Sequence, residues 1–378
     1  MKKLITITLI ITRILFSQFP HQDFEIVESI PVETNFDNEE IRNTAEVWLE
    51  MINSAKSTID IEQFYIANQA GEPLEEIISA IEKKSKEGVR VRIIAESKMA
   101  KTYPETIKRL GAHKHIETRI LSAFENIHGI NHSKYFIVDQ ERVFIGSQNF
   151  DWRALKHIHE IGLNIRHKEF ALTVAEIFEL DWQQAQSGEL IETGRHGEIT
   201  NFTLDIGDEN INFYPTASPY DNMPWKFYAD EKAIIESIKK AEKSVRIQLL
   251  SYSPSAYGEY YGNLDNALRD AALRGVKVQL LLSDWNKSER RIPYLKSLQV
   301  LPNIDIKLST IPEYSGGYIS FARVEHCKMM TIDDNITWIG TSNWSKNYFY
   351  SSRNLGLIIQ SQTVNHQITE IFAKGWHS

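Results

Sequence analysis

The chain has 378 residues, 42% hydrophobic and 24% charged, with a formal net charge of −8. That composition is ordinary for a soluble globular protein, and the length exceeds what one core supports, so two cores or a fused pair of halves are expected. The acidic balance excludes a broadly basic polyanion binder; any grip on a polyanion must come from a local pocket.

Lys2 and Lys3, the apolar run Leu4 to Ile11 and the Phe16-Ser17-Gln18 neighbourhood read as a secretory signal over residues 1–17, which implies export to the periplasm or the medium. Arg13 interrupts that run, which is too short to span a bilayer, so no stable membrane anchor is expected. Ile41, Ala45, Trp48, Leu49 and Ile52 keep helical spacing, with Asp37 or Asn38 as the cap. A strand over Thr58–Tyr65 follows, then a helix around Leu74–Lys86 ending at Gly88, then a β-branched strand over Val89–Ala95. Strands Tyr135–Val138 and Val143–Ile145 flank an Asp139-Gln140-Glu141 turn. Residues 187–219, with Gly188, Gly194, Gly197 and Gly207, read as the connection between the first half (24–200) and the second (201–378). In the second half Asp230 is a cap for the helix carrying Ile234, Ile235, Ile238 and Ala241. Val245–Tyr252 is its strand, Leu264–Leu273 a helix and Val276–Leu282 a strand; Met329–Ile332 and Ile336–Ile339 flank Asp333-Asp334-Asn335. The alternation predicts an α/β fold with mixed sheets flanked by helices.

The two hairpins carry one motif twice. His132-Ser133-Lys134, Asp139, Gly146, Ser147 and Asn149 match His326-Cys327-Lys328, Asp333, Gly340, Thr341 and Asn343 in every spacing, 194 residues apart (326 − 132). Glu176-Ile177-Phe178 with Trp182 repeats as Glu370-Ile371-Phe372 with Trp376 at the same offset. A lone His-x-Lys usually means a solvated strand, but chance agreement at five further positions is on the order of one in ten thousand. Two homologous halves facing across a pseudo-twofold axis would bring two histidines, two lysines and two amides around one small anion.

Side chains two apart on a strand share a face, so each His points with its Lys. Asp139 and Asp333 open the turns, where a short carboxylate bonds its own backbone, and read as structural supports rather than bases. The Gly-(Ser/Thr)-x-Asn segments can present the Ser147 and Thr341 hydroxyls and the Asn149 and Asn343 amides to the same anion. A phosphodiester fits: Lys134, Lys328, Asn149 and Asn343 clamp its non-bridging oxygens. One imidazole attacks phosphorus, and the other protonates the departing oxygen. With lysines in the electrostatic role, neither metal nor other cofactor is expected, and no His/Cys/carboxylate cluster shows ligand spacing. Cys327, the one cysteine, rules out an internal disulfide and reads as buried filler rather than nucleophile.

The duplicated His-x-Lys-x4-Asp with Gly-(Ser/Thr)-x-Asn resembles the phospholipase D superfamily. Val27-Glu28-Ser29-Ile30-Pro31, Gly146 to Arg153, Ala322-Arg323-Val324, Gly340 to Ser345 and Asn347-Tyr348-Phe349 are similar to a narrower branch. That branch holds the lysosomal phospholipase-D-like 5′-exonucleases and the poxviral phospholipase-D-like proteins. The likeness implies a pair of α-β-α sandwich halves and a phosphohistidine intermediate. It also implies that the acidic or amide residue 28 positions after each motif histidine (160 − 132; 354 − 326) buttresses the histidine of the opposite half, pairing Glu160 with His326 and Asn354 with His132. A carboxylate favours imidazolium and a neutral amide leaves imidazole free, so His132 is expected as nucleophile and His326 as acid; a plain surface carboxylate is the alternative at Glu160. The lysosomal enzymes are disulfide-bearing and membrane-anchored, so compartment and pH optimum do not carry over to a chain with one cysteine. Single-stranded DNA or RNA is the expected substrate, with Trp152, Trp344, Tyr348, Phe349 and Tyr350 either stacking unpaired bases or filling the core. A lipid enzyme hydrolysing or exchanging phospholipid headgroups is the alternative, for which the loop Ile311–Phe321 is a mild interfacial feature. A catalytically dead binding module is the third reading, and complete motifs in both halves speak against it.

Overall fold

A computed structural model describes residues 23–193, 200–207, 209–256 and 258–378. The signal read over residues 1–17 lies outside them. Among the described residues no helix is long and apolar enough to cross a membrane.

Two sheets of matching strand order organise the chain. The first runs Arg42–Asn43, Phe24–Ser29, Glu160–Arg166, Arg142–Gly146, Lys134–Val138, Thr58–Gln63, Arg90–Glu96, Ile116–Leu121. The second runs Phe202–Asp205, Asn210–Ser218, Asn354–Gln360, Ile336–Gly340, Lys328–Ile332, Ser244–Leu249, Lys277–Ser283, Ile304–Ser309. In each, three successive strands are parallel and the central strands antiparallel, and in the first the short Arg42–Asn43 adds a parallel edge. The parallel strands are followed by helices because a parallel return needs a crossover.

Helices Thr44–Ser54 and Pro73–Lys86 bury Val47, Trp48, Met51, Leu74, Ile77 and Ile81 against one face of the first sheet. Asp230–Lys240 and Asn263–Leu273 do the same for the second with Ile234, Ile238, Leu264 and Leu268. The inner faces of both sheets and the helices Lys168–Ser187 and Gln362–His377 form one continuous core, in which Phe178 and Phe372 are buried at repeat-related positions. The two halves therefore share apolar burial and are held as a unit. The mixed α/β architecture in two similar halves agrees with the expectation from the sequence.

Several local expectations change. The first helix is capped by Asn43, whose side chain accepts the Ala45 N–H at 2.9 Å, rather than by Asp37 or Asn38. Residues 42–43 pair beside Phe24–Ser29 and hold the chain extended up to that point. Asp230 does not cap its helix either. It is the first helical residue after the cap Ala229, and its buried carboxylate accepts bonds from Thr216, Trp338 and Ser342 at 2.6, 2.9 and 2.6 Å. The connection is shorter than 187–219. Gly188, left-handed at φ 75°, closes the long helix by bonding the Gln184 carbonyl, and Phe202–Asp205 with Asn210–Ser218 is already a hairpin of the second sheet. Gly194 and Gly197 lie outside the described residues.

Candidate active site

Both motif hairpins lie at the centre of their sheets, Lys134–Val138 against Arg142–Gly146 and Lys328–Ile332 against Ile336–Gly340. The glycine ending each second strand has a steric reason. Gly146 faces Gly162 across the ladder, and a Cβ there would sit 2.6 Å from the Gly162 Cα. Asp139 and Asp333 take left-handed conformations at φ 54° and 49°. Their carboxylates do not bond their own turn, as the sequence reading had it. Asp139 accepts the backbone N–H groups of Lys56, Ser57 and Thr58 at 2.8, 2.7 and 2.9 Å, and Asp333 those of Glu242, Lys243 and Ser244 at 3.0, 2.8 and 2.9 Å. Each aspartate thus ties its hairpin to the start of the neighbouring parallel strand, far from the histidines.

Each histidine is held by the other half. The His132 backbone N–H donates to the Arg353 carbonyl, and that of His326 to the His159 carbonyl, both at 2.9 Å. His132 Nδ1 lies 3.1 Å from Asn354 Oδ1, and His326 Nδ1 lies 2.7 Å from Glu160 Oε2. The amide of Asn354 cannot turn over, because its Nδ2 donates to Ser218 Oγ and to the carbonyls of Tyr348 and Ser352, while Oδ1 also accepts the Thr341 hydroxyl at 3.0 Å. Oδ1 only accepts, so the His132 hydrogen sits on Nδ1 and the Nε2 lone pair is free.

The serine and threonine of the motif differ from expectation. Ser147 Oγ accepts the Ile161 N–H at 3.0 Å and Thr341 Oγ the Leu355 N–H at 3.1 Å. These hydroxyls lock the strands that carry Glu160 and Asn354, so they support the histidine partners rather than face an anion. The side-chain oxygens of buried Asn149 and Asn343 have no hydrogen-bond partner among the described residues.

Lys134 and Lys328 are fully buried, with Nζ bonded to the carbonyls of His132 and His326 at 2.8 and 2.7 Å. Burial lowers Lys328 to about 8 against the pull of Glu160, and burial with Lys328 holds Lys134 well below its ordinary value. Burial followed by the two lysines lowers His132 well below the usual imidazole range. His326 is lowered likewise by burial, the two lysines and the nearby His132, so the two rings and both lysines share one electrostatic chamber. Burial and the two lysines thus oppose imidazolium on His326, against the expectation from its Glu160 partner. Burial instead raises the Glu160 carboxyl well above its ordinary value, against Lys328, Ser147 and Lys134.

Of the aromatic candidates, Trp344 and Phe349 are buried in the second core. Trp152 packs edge-on against His157, and Tyr350 is turned to Glu231. Tyr348 meets the site, edge-on to His132 at 4.9 Å. Phe64, not singled out from the sequence, lies 5.0 Å from both the His132 ring and Lys134 Nζ; its place at the end of the strand expected over Thr58–Tyr65 was the signal available. Also missed is a pair of locks behind the histidines. His159 is held between Glu325 and Glu28 at 2.7 Å each, with Cys327 alongside. Its repeat counterpart Arg353 is paired twice with Asp181, at 2.7 and 2.9 Å. No cluster of His, Cys and carboxylate shows ligand spacing in the sequence, but the fold assembles His159, Glu325 and Cys327 within 4.8 Å, with both imidazole nitrogens already engaged by carboxylates. Burial opposes charge on His159, but Cys327, Glu325 and Glu28 outweigh it and hold the ring well above its usual range. Cys327 itself is buried.

This arrangement has known counterparts. The family model described as cardiolipin synthase, PLD-like domain, matches twice, over residues 48–182 and 234–376. The chain belongs to the phospholipase D superfamily. The superfamily's relatives include 5'-3' exonuclease PLD3 of Macaca fascicularis, 30% identical over 93% of this chain and 79% of that protein. Another is Phospholipase D Z of Dictyostelium discoideum, 29% identical over 94% and 89%. Among solved structures, phosphatidylserine synthase of Haemophilus influenzae Rd KW20 shares the fold at a TM-score of 0.64, covering 87% of this chain and 83% of that one at 13% identity. By this kinship the chain is a phosphodiesterase of the superfamily.

Proposed function

We propose that the chain is a metal-independent 5′-exonuclease on single-stranded DNA or RNA that works through a phosphohistidine on His132. The observation that carries this reading is the reciprocal pairing of His132 with Asn354 and of His326 with Glu160 across the two halves. It gives two chemically unlike imidazoles in one chamber. His132 Nε2 attacks phosphorus while Lys134, Lys328, Asn149 and Asn343 offset charge on the non-bridging oxygens. On the other side, a Glu160 carboxyl that keeps its proton donates it to His326 Nδ1, which leaves hydrogen on Nε2. That Nε2–H protonates the departing oxygen, then retrieves a proton from the water that releases phosphate from His132. Two displacements give net retention at phosphorus.

The nucleic-acid reading draws on the exonuclease named among the relatives and on the Phe64 and Tyr348 rings beside His132. A second reading, a phospholipid headgroup hydrolase or transphosphatidylase, draws on Phospholipase D Z. It also draws on the loop before the second motif, where Tyr318 and Phe321 are 81% and 62% exposed. Incubation in chelator with a labelled single-stranded oligonucleotide, and with phosphatidylcholine plus an alcohol, decides between them. Mononucleotides released from the 5′ end support the proposal; phosphatidyl-alcohol, or neither product, rejects it.

A further inference from the structure

A groove of about 1110 Å³ is lined by Ser253, Ser255, Trp285, Arg290, Arg291 and Tyr294. It lies beyond the carboxyl ends of the parallel strands Ser244–Leu249 and Lys277–Ser283, where open α/β sheets bind ligands. Its size exceeds the roughly 300–1,000 Å³ of a pocket for one small molecule, so a lone headgroup leaves much of it empty.

One residue lining the groove is tied to the second motif. Ser253 N–H bonds the Trp344 carbonyl at 2.8 Å, one residue beyond Asn343. Tyr348, edge-on to His132, lies within electrostatic range of Arg291. Arg291 is half-buried, and its guanidinium donates only to neutral acceptors, the Trp285 carbonyl at 3.2 Å and Asn286 Oδ1 at 3.4 Å. A partly desolvated cation with no carboxylate partner among the described residues is completed by an anion. Trp285 is exposed, and Tyr294 stacks on Tyr260 by one face.

We infer that this groove holds the single strand that follows the scissile phosphodiester, with Arg290 and Arg291 on backbone phosphates and Trp285 and Tyr294 beneath unpaired bases. The inference rests on the single-strand reading of the pocket and states where the remainder of the strand runs. Alternating cations and rings are what sequence-tolerant strand binding requires. Confined to one groove, they serve a chain whose net charge of −8 would otherwise repel the substrate.

The test compares kcat/KM for a single strand of about twelve nucleotides with that for a dinucleotide of the same 5′ sequence, in the full chain and its R290A/R291A and W285A variants. The long substrate should be favoured in the unaltered chain, and the ratio should fall about tenfold or more in each variant. For R290A/R291A the salt dependence on the long substrate should flatten by about 0.7 per lost phosphate contact. General damage to the fold lowers both rates together, and R290K/R291K should recover most of the ratio. An unchanged ratio in R290A/R291A, with the unaltered chain still cutting the oligonucleotide, overturns the groove assignment and leaves the nuclease reading standing. An unaltered chain that spares oligonucleotides and releases headgroups from phosphatidylcholine vesicles overturns both.

Discussion

Replacing Glu160 by glutamine separates leaving-group protonation from nucleophilic attack. Glu160 is fully buried, with Oε2 2.7 Å from His326 Nδ1, and burial keeps its carboxyl protonated to unusually high pH. Glutamine fills nearly the same volume and can still bond the ring, but its amide has no acidic proton to pass to Nδ1. His326 could then not be resupplied as Nε2 gives up its hydrogen, and the pocket would lack an effective acid. General acid catalysis contributes about 10²–10⁴ in rate, or roughly 3–5 kcal/mol at about 1.36 kcal/mol per tenfold. E160Q should therefore lose about that factor in kcat/KM on a diester whose leaving group is a sugar alkoxide. On a p-nitrophenyl phosphodiester, whose phenolate departs without a proton, the loss should be about tenfold or less. Steady-state kinetics on the two substrates reads the contrast. Equal losses on both would refute proton delivery through Glu160 and reduce it to a scaffold for the ring.

Lys328, lowered to about 8 by burial, is an ammonium below that pH and a neutral amine above it. The kcat/KM profile, which reports groups of the free enzyme, should fall above about pH 8, and K328R, whose guanidinium stays charged, should flatten that limb; an unmoved limb assigns it to another group. His159→Gln leaves Glu28 and Glu325 buried without their cation, which should cost about 3–5 kcal/mol by urea unfolding; a loss under about 1 kcal/mol would show that the ring carries no such burden. Trp344→Ala should cost about 3–5 kcal/mol through the cavity it opens in the second core. A raised KM for oligonucleotide without that loss would instead place the indole against substrate.

The hairpins and their spacing were legible because a strand's period of two fixes which side chains share a face, and because the pattern occurs twice. The pairing of His326 with Glu160 and His132 with Asn354 joins residues 166 and 222 apart; only the family resemblance pointed to it. The His159 and Arg353 locks left no local trace, since their partners Glu325 and Asp181 lie 166 and 172 residues away. Short carboxylates were misread for a related reason. Asp139, Asp333 and Asp230 each have a plausible local use at a turn or cap, but the fold offers them better donors at neighbouring strands. Protonation of His326 was misjudged because a neighbouring carboxylate was weighed without the two buried lysines. Trp344 and Phe349, close to the motif in sequence, turn into the core, whereas Phe64 reaches the pocket from a different strand end.

Trapping the covalent intermediate tests whether two imidazoles from opposite halves serve a single phosphorus atom. H326N lacks both the acid and the later base, so with a labelled p-nitrophenyl phosphodiester the first displacement can proceed while hydrolysis stalls. After denaturation and peptide mapping, label should remain on His132 of H326N and be absent from H132N. Label on His326 of H132N, or on neither variant while the unaltered chain turns over, would contradict the assignment.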